Sequence, residues 1–306
     1  MAAGKLKIGT RGSKLALAQA YETRDKLMAA HGMAEGDIEI VVISTTGDRV
    51  QDRALSEIGG KGLFTKEIEE ALYDRSIDLA VHSMKDMPAV LPPGLIMAGL
   101  LEREDPRDAF ISSVANSLEE LPTGAKLGTS SVRRSAQIRT LRPDLEVVEF
   151  RGNVQTRMKK LADGVADATF LACAGLNRLG QANLITRAMA VKDMLPAVAQ
   201  GAIGIEIREG DDATALLLAP LRHRETEIVV AAERGFLIEL DGSCRTPLAA
   251  HATLDGETVN LSVMALTRDG SERFETTRRG AADKAEELGL DAGREIARLA
   301  GDKLFA

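Results

Sequence analysis

Arginine residues recur directly after the short apolar runs of this sequence, in a chain whose formal net charge is −7. They are Arg11, Arg133, Arg134, Arg151, Arg157 and Arg178. A guanidinium group binds a carboxylate or a phosphate through two parallel hydrogen bonds. We therefore expect a ligand with several anionic groups. For any single arginine, a structural ion pair with Asp or Glu is an equally good interpretation.

The stretch "TSSVRRS", residues 129–135, is typical of a helix N-terminus. Its hydroxyl groups and first-turn amides could either cap the helix or hold an anion. Arg133 and Arg134 would lie in the first turn, where a cation opposes the helix dipole. We expect an anion near them. Ser13, which follows Arg11 after the first apolar run, has a comparable position.

"AVHSMKDMP", residues 80–88, ends an apolar run with Lys85 and Asp86 side by side. A carboxylate beside a lysine stays ionised at neutral pH. At a ligand site it could stabilise a developing cation or transfer a proton to a leaving amine. The alternative is an ordinary turn before Pro88, and His82 is interpreted as a structural residue.

The glycine-rich segment "SEIGGKGLFTKEIEE", residues 56–70, superficially resembles a phosphate-binding loop. The glycine and the Ser or Thr that such a loop requires are replaced by Leu55 and Gly62. We interpret the segment as a mobile lid that carries Lys61 and Phe64. For Phe64 the alternative is a core position on the following helix.

The sequence contains two cysteines in different surroundings. Cys173 lies in the apolar "TFLACAG" and is expected to be a small buried hydrophobic residue. Cys244 lies in "DGSCRTP" beside Arg245, whose charge would favour the thiolate. From the residues alone, a tether, a nucleophile and a small side chain in a turn all remain open for Cys244. No Cys/His spacing indicates a metal site.

Apolar, β-branched runs alternate with helical patterns along most of the chain, which predicts an α/β fold with mainly parallel sheets. "PRDAF" and "NSLEELPTGA" are interpreted as a crossover between two lobes. Beyond residue 220 the pattern changes to a helix, a stretch with two DG turns and a last helix, which predicts an α+β domain. The expected domains are lobe 1 (1–104 and 200–219), lobe 2 (105–199) and a C-terminal domain (220–306).

Composition restricts the classes of function. The acidic balance argues against general nucleic-acid binding, which needs a basic face. The N-terminus lacks an apolar segment of signal-peptide type, and "AVLPPGLIMAGLL" is interrupted by two prolines. We expect a cytoplasmic protein that does not associate with membranes.

Taken together, several motifs resemble the hydroxymethylbilane synthase (porphobilinogen deaminase) family. They are "IGTRGSKLALAQ", "GGKGLFTKEIE", "DLAVHSMKDMP", "EREDPRDAF", "LGTSSVRRSAQ", "FRGNVQTRMKKL", "LACAGLNRLG", "AVAQGAIGIE" and "DGSCRTPLAA". The resemblance runs in order from about residue 5 to residue 250. Many members read Gly-Gly-Cys where this chain has Gly242, Ser243 and Cys244.

This resemblance implies two lobes like those of periplasmic binding proteins and a C-terminal domain that holds a cofactor. It implies a transferase that joins four porphobilinogen molecules head to tail into linear hydroxymethylbilane, with release of four ammonia, on the route to haem. Cys244 would carry a dipyrromethane primer through a thioether bond. The partners would be porphobilinogen and the growing polypyrrole chain, and the protein would be a monomer.

The resemblance also implies roles for individual residues. Asp86 would be the catalytic carboxylate, assisting loss of ammonia and stabilising the cationic azafulvene. The cofactor would be bound by Ser83, Lys85, Thr129, Ser131, Arg133 and Arg134. Substrate and the elongating chain would be bound by Arg11, Ser13, Arg151, Arg157, Arg178 and Gln200. Lys61 and Phe64 would belong to the mobile loop over the active site.

Two other classes of function remain as alternatives. A non-catalytic anion-binding protein could have a similar two-lobed fold, although it would not need Asp86 and Cys244 together. A nucleotide-dependent transferase is disfavoured because the phosphate-binding motif fails and no GxGxxG motif is present.

Overall fold

The computed structural model describes residues 4–49, 62–240 and 246–304. The described residues form two compact units. The first contains residues 4–49, 62–104 and 202–227, and the second contains residues 105–201, 228–240 and 246–304. Within these residues, no helix is both long and apolar enough to cross a membrane.

The strands are numbered in chain order. They are β1 (Leu6–Arg11), β2 (Ile38–Ile43), β3 (Leu79–Ser83), β4 (Leu95–Leu100), β5 (Asp108–Ser112), β6 (Lys126–Gly128), β7 (Glu146–Val148), β8 (Ala168–Ala172), β9 (Arg187–Ala188), β10 (Ile203–Arg208), β11 (Leu248–Asp255), β12 (Thr258–Leu266) and β13 (Arg273–Ala281). The α-helices are α1 (Lys14–His31), α2 (Thr46–Arg49), α3 (Lys66–Tyr73), α4 (Val132–Leu141), α5 (Val154–Ala162), α6 (Cys173–Arg178), α7 (Asp212–Leu218), α8 (Arg224–Glu239) and α9 (Ala285–Ala300).

The first unit is built on a five-stranded sheet with the order β2–β1–β3–β10–β4. Strand β1 pairs in parallel with β2 and β3, whereas β10 is antiparallel to β3 and β4. Its interior strands are rich in buried apolar residues, as expected for a sheet that is covered on both faces. Ile8, Leu79 and Ile205 are buried in the resulting core.

The second unit contains a sheet of the same design, with the order β7–β6–β8–β5–β9. Strand β6 is parallel to β7 and β8, and β5 is antiparallel to β8 and β9. Phe110 and Phe170 face each other across β5 and β8 with ring centroids 5.5 Å apart. The α/β fold class is confirmed, and two of the four pairings in each of these sheets are antiparallel.

The second unit also contains the antiparallel sheet β11–β12–β13, against which α9 packs. Its two turns fall at the DG pairs, where Gly256 has φ +59° and Gly270 has φ +75°. This left-handed conformation favours glycine, so both predicted hairpin turns are confirmed. Helices α8 and α9 approach each other so closely that a Cβ on Gly289 would overlap the backbone of Ala232. The absence of a side chain at Gly289 permits this approach.

Three strands of the two five-stranded sheets were not anticipated: β4, β5 and the two-residue β9. "PRDAF", interpreted as a crossover, contains the start of β5, which pairs with two neighbours in its sheet. The first residue of β5, the fully buried Asp108, interrupts the apolar pattern that marks a buried strand. Strand β4 begins two residues after Pro93, and the pair Pro92–Pro93 obscured it.

Candidate active site

Asp86 lies on a single 3₁₀ turn, Met84–Asp86, that directly follows β3. The Met84 amide donates a hydrogen bond to the carbonyl of Ala202 at 3.0 Å, and the Met84 side chain is buried. A Cβ on Gly204 of β10 would overlap the Met84 sulfur. The turn is therefore seated on β10, with Lys85 and Asp86 half-buried at its end.

The two residues before this turn are held on opposite sides of β3. His82 Nε2 lies 3.0 Å from Glu206 Oε2, and both side chains are buried. Ser83 Oγ lies 2.8 Å from Nε2 of Gln19 on α1. His82 is therefore paired inside the unit, while Ser83 is tied to the helix that follows β1.

Arg11 ends β1 and forms an ion pair with Asp48 of α2. Its Nη2 lies 2.5 Å from Asp48 Oδ1, and its Nε lies 3.2 Å from Oδ2. The guanidinium carbon also lies 4.2 Å from the ring centroid of Phe64. Burial works to raise the pKa of Asp48, but hydrogen bonds from Arg11 and Thr45 lower it below its ordinary value. Arg11 and Phe64 are thus brought together, with Asp48 as a partner.

Ser13 caps α1, because its Oγ accepts a hydrogen bond from the Ala16 amide at 3.2 Å. A hydroxyl that accepts a backbone hydrogen bond keeps its own O–H for donation. Capping and ligand binding are therefore compatible at this residue.

In the second unit, Arg133 and Arg134 share a single carboxylate, that of Asp108. Arg133 Nη1 lies 2.7 Å from Oδ2, and Arg134 Nη2 lies 2.6 Å from Oδ1. All three side chains are at most 6% exposed. Burial works to raise the pKa of Asp108, but the two guanidiniums more than offset it and hold the pKa far below its ordinary value. These three side chains carry two positive charges and one negative charge, so the trio has one positive charge in excess.

The remaining donors of these arginines are mostly used on backbone carbonyls. Arg133 Nη1 donates to Leu195 O at 2.8 Å, and Arg134 Nη1 donates to Phe170 O at 2.8 Å. The Nε of Arg133 is buried and has no partner among the described residues. Both side chains are therefore rigidly placed, and one donor is left over.

The hydroxyls of "TSSVRRS" have different partners. Ser131 caps α4 by accepting from the Arg134 amide at 3.4 Å, and Thr129 Oγ1 accepts from the Ser131 amide at 3.2 Å. Ser130 Oγ is buried with no partner within the described part of the chain. This N-terminus therefore combines capping with one unused hydroxyl group.

Arg151 and Arg157 lie just before and within α5. Arg157 Nε donates to Gly152 O at 2.9 Å, and burial together with the charge of Arg134 lowers its pKa to about 10. Arg151 Nη1 is buried without a partner in the described ranges. The pKa of Arg157 is lowered although the charge of Glu149 works to raise it, so positive charge is costly here without a further anion.

Gln200 is fully buried and bonds the same carboxylate as the arginine pair. Its Nε2 donates to Asp108 Oδ1 at 3.0 Å and to Pro106 O at 2.8 Å. Arg178, the last residue of α6, donates to Gly201 O at 3.0 Å. Gln200, Asp108, Arg133 and Arg134 therefore form one connected network in the second unit.

The two cysteines cannot be compared directly, because Cys244 lies outside the described residues, as does Lys61. Cys173 is fully buried, and burial raises the pKa of its thiol to about 12. A thiol in this environment is inert at neutral pH.

Sequence reasoning missed three partners of these residues: Asp108, Asp48 and Gln19. Asp108 stands inside the quoted motif "EREDPRDAF", so its charge between apolar residues was an available signal. Asp48 and Gln19 offered none, because they meet their partners only after the strands and helices pack.

Two family models and two relatives that match this chain carry the same name, porphobilinogen deaminase. A family model described as "Porphobilinogen deaminase, dipyromethane cofactor binding domain" matches residues 6–216, and a second, described as "Porphobilinogen deaminase, C-terminal domain", matches residues 228–298. The chain is 57% identical to a porphobilinogen deaminase of Paracoccus denitrificans over 95% of this chain and 93% of the relative. It is 53% identical to one of Nitrobacter hamburgensis over 97% and 94%. A solved periplasmic substrate-binding protein of an ABC transporter from Coxiella burnetii aligns over 71% of this chain and 91% of its own, at 15% identity and a TM-score of 0.42.

Proposed function

The chain belongs to the porphobilinogen deaminase family, and from this premise we propose that Cys244 carries its dipyrromethane cofactor and that Asp86 is its catalytic carboxylate. The enzyme is a transferase of tetrapyrrole biosynthesis that condenses four porphobilinogen molecules into linear hydroxymethylbilane with release of four ammonia. What remains to be assigned is which side chains of this chain perform each task.

The observation that carries the proposal is the excess of positive charge in the buried arginine cluster around Asp108 in the second unit. Among the described residues, Asp108 is the one carboxylate that pairs with Arg133 and Arg134. The charge of Arg134 lowers the pKa of Arg157, and that of Glu149 offsets this only in part. An uncompensated buried charge costs several kcal/mol, on the order of 3–5. Each pyrrole unit carries an acetate and a propionate, so a polypyrrole supplies the missing negative charges.

The unpaired polar atoms of this region also fit the cofactor. Among the described residues, the Nε of Arg133, the Nη1 of Arg151 and the Oγ of Ser130 are buried without a partner. All three are hydrogen-bond donors, and a carboxylate is an acceptor. The donor set therefore matches a ligand rich in carboxylates.

The choice of Cys244 as the tether is supported by the state of the other cysteine. Cys173 has no exposed surface, and its thiol has a pKa of about 12. The sequence contains only two cysteines, so Cys244 is the thiol left for a thioether bond. When attached, the dipyrromethane supplies the pyrrole carbon to which the first substrate unit is joined.

The position of Asp86 supports a role in stabilising a cationic intermediate. It ends a short turn that is anchored to β10 through Met84, so its position is set by the sheet. Its carboxylate would accept hydrogen bonds from pyrrole N–H groups, stabilise the positive charge that develops as ammonia leaves, and relay a proton to the departing amine. The neighbouring Lys85 would bind a carboxylate of the ligand.

The remaining roles follow the family pattern. Ser83, Thr129, Ser131, Arg133 and Arg134 would bind the cofactor, while Arg11, Ser13, Arg151, Arg157, Arg178 and Gln200 would bind substrate and the growing chain. The hydroxyls of Thr129 and Ser131 accept backbone hydrogen bonds, which leaves each O–H to donate to a carboxylate. Lys61 and Phe64 would form the active-site loop, and the contact between Phe64 and Arg11 supports this role for Phe64.

The chain would have three domains, with lobe 1 at 1–104 and 200–219, lobe 2 at 105–199 and the cofactor-attachment domain at 220–306. It would act as a monomer. It would work in the cytoplasm.

The decisive experiment is the intact mass of the purified chain under denaturing conditions, followed by peptide mapping. We expect a dipyrrole adduct on the peptide that contains Cys244, retained in Cys173→Ala and absent from Cys244→Ala. Asp86→Asn should fold normally and lower kcat by about 10²–10⁴-fold. An unmodified wild-type chain that stays unmodified after incubation with porphobilinogen would refute the attachment.

A further inference from the structure

Glu233 is a completely buried carboxylate on α8 that joins two distant backbone segments. Its Oε2 accepts a hydrogen bond from the Ala199 amide at 2.6 Å, and its Oε1 accepts one from the Ala252 amide at 2.8 Å. Hydrogen bonds to an ionised acceptor are short and about twice as strong as neutral ones. Both carboxylate oxygens are therefore engaged on the backbone.

The first of these segments is under conformational constraint. Ala199 has φ +57°, and it shares this left-handed conformation with only one other residue bearing a side chain, Arg75, in the described ranges. The conformation is sterically unfavourable for a residue that carries a Cβ. The hydrogen bond from Ala199 to Glu233 offsets that cost and holds the turn.

This turn directs Gln200 towards the arginine pair. Gln200 follows Ala199, and its side-chain amide donates to Asp108 Oδ1, the atom that also binds Arg134. The other end of the turn is fixed by Arg178 on Gly201 O. A shift at Ala199 would therefore move a hydrogen-bond donor of the Asp108 carboxylate.

The second segment leads to the cysteine. Helix α8 ends at Glu239 and strand β11 begins at Leu248, so these two elements flank residues 241–245 in the sequence. The hydrogen bond from the Ala252 amide to Glu233 links α8 and β11 to each other. One carboxylate thus connects both elements that flank Cys244 with the turn that supports Asp108.

We propose that Glu233 is a positioning residue for the cofactor, setting the elements that flank Cys244 in register with the Arg133–Arg134 pair. The inference rests on the proposed attachment at Cys244. It goes beyond that proposal because Glu233 would touch neither substrate nor cofactor and would act through Ala199, Gln200 and Asp108. A glutamine cannot replace it, since its single side-chain oxygen would leave one of the two amides facing an NH₂ group.

The test compares Glu233→Gln with Glu239→Gln, which removes a carboxylate of the same helix that lies 3.7 Å from Arg294 and is 29% exposed. Each full-length variant is stripped of cofactor and incubated with porphobilinogen at a temperature well below its Tm, and the mass of the Cys244 peptide is followed with time. We expect loading of Glu233→Gln to be about tenfold slower, with a lower kcat per loaded molecule, whereas Glu239→Gln behaves as wild type. Wild-type loading and kcat in a Glu233→Gln protein whose Tm is lowered would overturn the proposal.

A second variant separates positioning from simple stability. Ala199→Gly removes the left-handed cost, so in the Glu233→Gln background it should recover several-fold in loading rate. Recovery of Tm without recovery of loading would make Glu233 a structural residue only. If Glu233→Gln fails to fold, Glu233→Asp takes its place, because the shorter side chain keeps the charge but cannot reach both amides.

Hydrogen exchange provides a readout that does not depend on the cofactor. In Glu233→Gln, the rate of amide hydrogen exchange should rise at Ala199 and Ala252 and also in the peptide that contains Asp108. Faster exchange confined to Ala252 would refute the coupling. If even the wild-type chain acquires no adduct, the proposed attachment has failed, and exchange alone decides the link between Glu233 and Asp108.

Discussion

Arg133 and Asp108 form a two-point ion pair that is closed to solvent, with Nη1–Oδ2 at 2.7 Å and Nη2–Oδ1 at 3.1 Å. The pair joins the first turn of α4 to the first residue of β5. Because Arg134 uses the same carboxylate, Asp108 determines the position of both arginines assigned to the cofactor. This carboxylate is thus the organising group of the arginine cluster.

Replacing Asp108 by Asn should therefore be strongly destabilising. The side chain keeps its shape, but two buried guanidiniums lose their counter-charge, which costs about 3–5 kcal/mol in the free energy of unfolding. Urea denaturation measures this loss. The matched control is Asp144→Asn, which breaks the partly exposed pair with Arg142 and should cost far less stability than Asp108→Asn. Equal losses in the two variants would contradict the assigned role.

The same ion pair predicts an acid dependence of stability. The pKa of Asp108 is lowered in the folded chain, so its contribution is fully present above its ordinary pKa of 3.8 and is lost as pH falls towards the folded value. The difference in unfolding free energy between wild type and Asp108→Asn should be constant from about pH 5 to 7 and shrink below about pH 4. Urea titrations across this range provide the measurement, and a difference that grows on acidification would have the wrong sign.

Arg157→Gln should separate binding from stability. Burial and the charge of Arg134 lower the pKa of Arg157 to about 10, so the side chain stays charged at neutral pH but its ionisation is less favourable in the folded protein than in water. We expect an unfolding free energy that is unchanged or higher, while kcat/KM for porphobilinogen falls by roughly 10–100-fold, the loss of one charged hydrogen bond.

The control for this prediction is Arg139→Gln. Arg139 is an exposed arginine of α4 that donates to Arg268 O at 2.9 Å. Its replacement should leave kcat/KM unchanged. A loss of stability in Arg157→Gln without a loss of affinity would make Arg157 a structural residue.

Gly204→Ala should disturb the catalytic turn without touching Asp86. The new Cβ would overlap the sulfurs of Met84 and Met97, and any relief through the backbone of Met84 would move the turn that carries Lys85 and Asp86. Overpacking of this kind costs about 1–3 kcal/mol, and a displacement near 1 Å of a catalytic group can lower a rate about 100-fold. We expect kcat to fall by a larger factor than KM changes.

Steady-state kinetics on the folded protein test this outcome. Gly36→Ala is the control, since Gly36 has open space around it and no positive φ. If Gly204→Ala lowers Tm but leaves kcat at the wild-type value, the seating of the turn on β10 is not important for catalysis.

Local sequence patterns were sufficient for much of the fold. Continuous apolar runs indicated most strands of the two five-stranded sheets, and the DG pairs indicated both turns of the C-terminal sheet. Strand β5 was not predicted because its first residue, Asp108, is charged, and charged residues are normally excluded from buried strands. Only the pairing of Asp108 with two arginines makes this position possible.

The sequence by itself determined the family, the Lys85–Asp86 turn and the arginines at strand ends, because short motifs and composition carry these features. Tertiary structure alone decided the partners: Asp108 for Arg133 and Arg134, Asp48 for Arg11, and Glu233 for the amides of Ala199 and Ala252. These partners lie 19 to 37 positions apart in the chain. Periodicity extends over only a few residues, whereas the choice of partner depends on how strands register and helices pack, and so it appears only in the folded molecule.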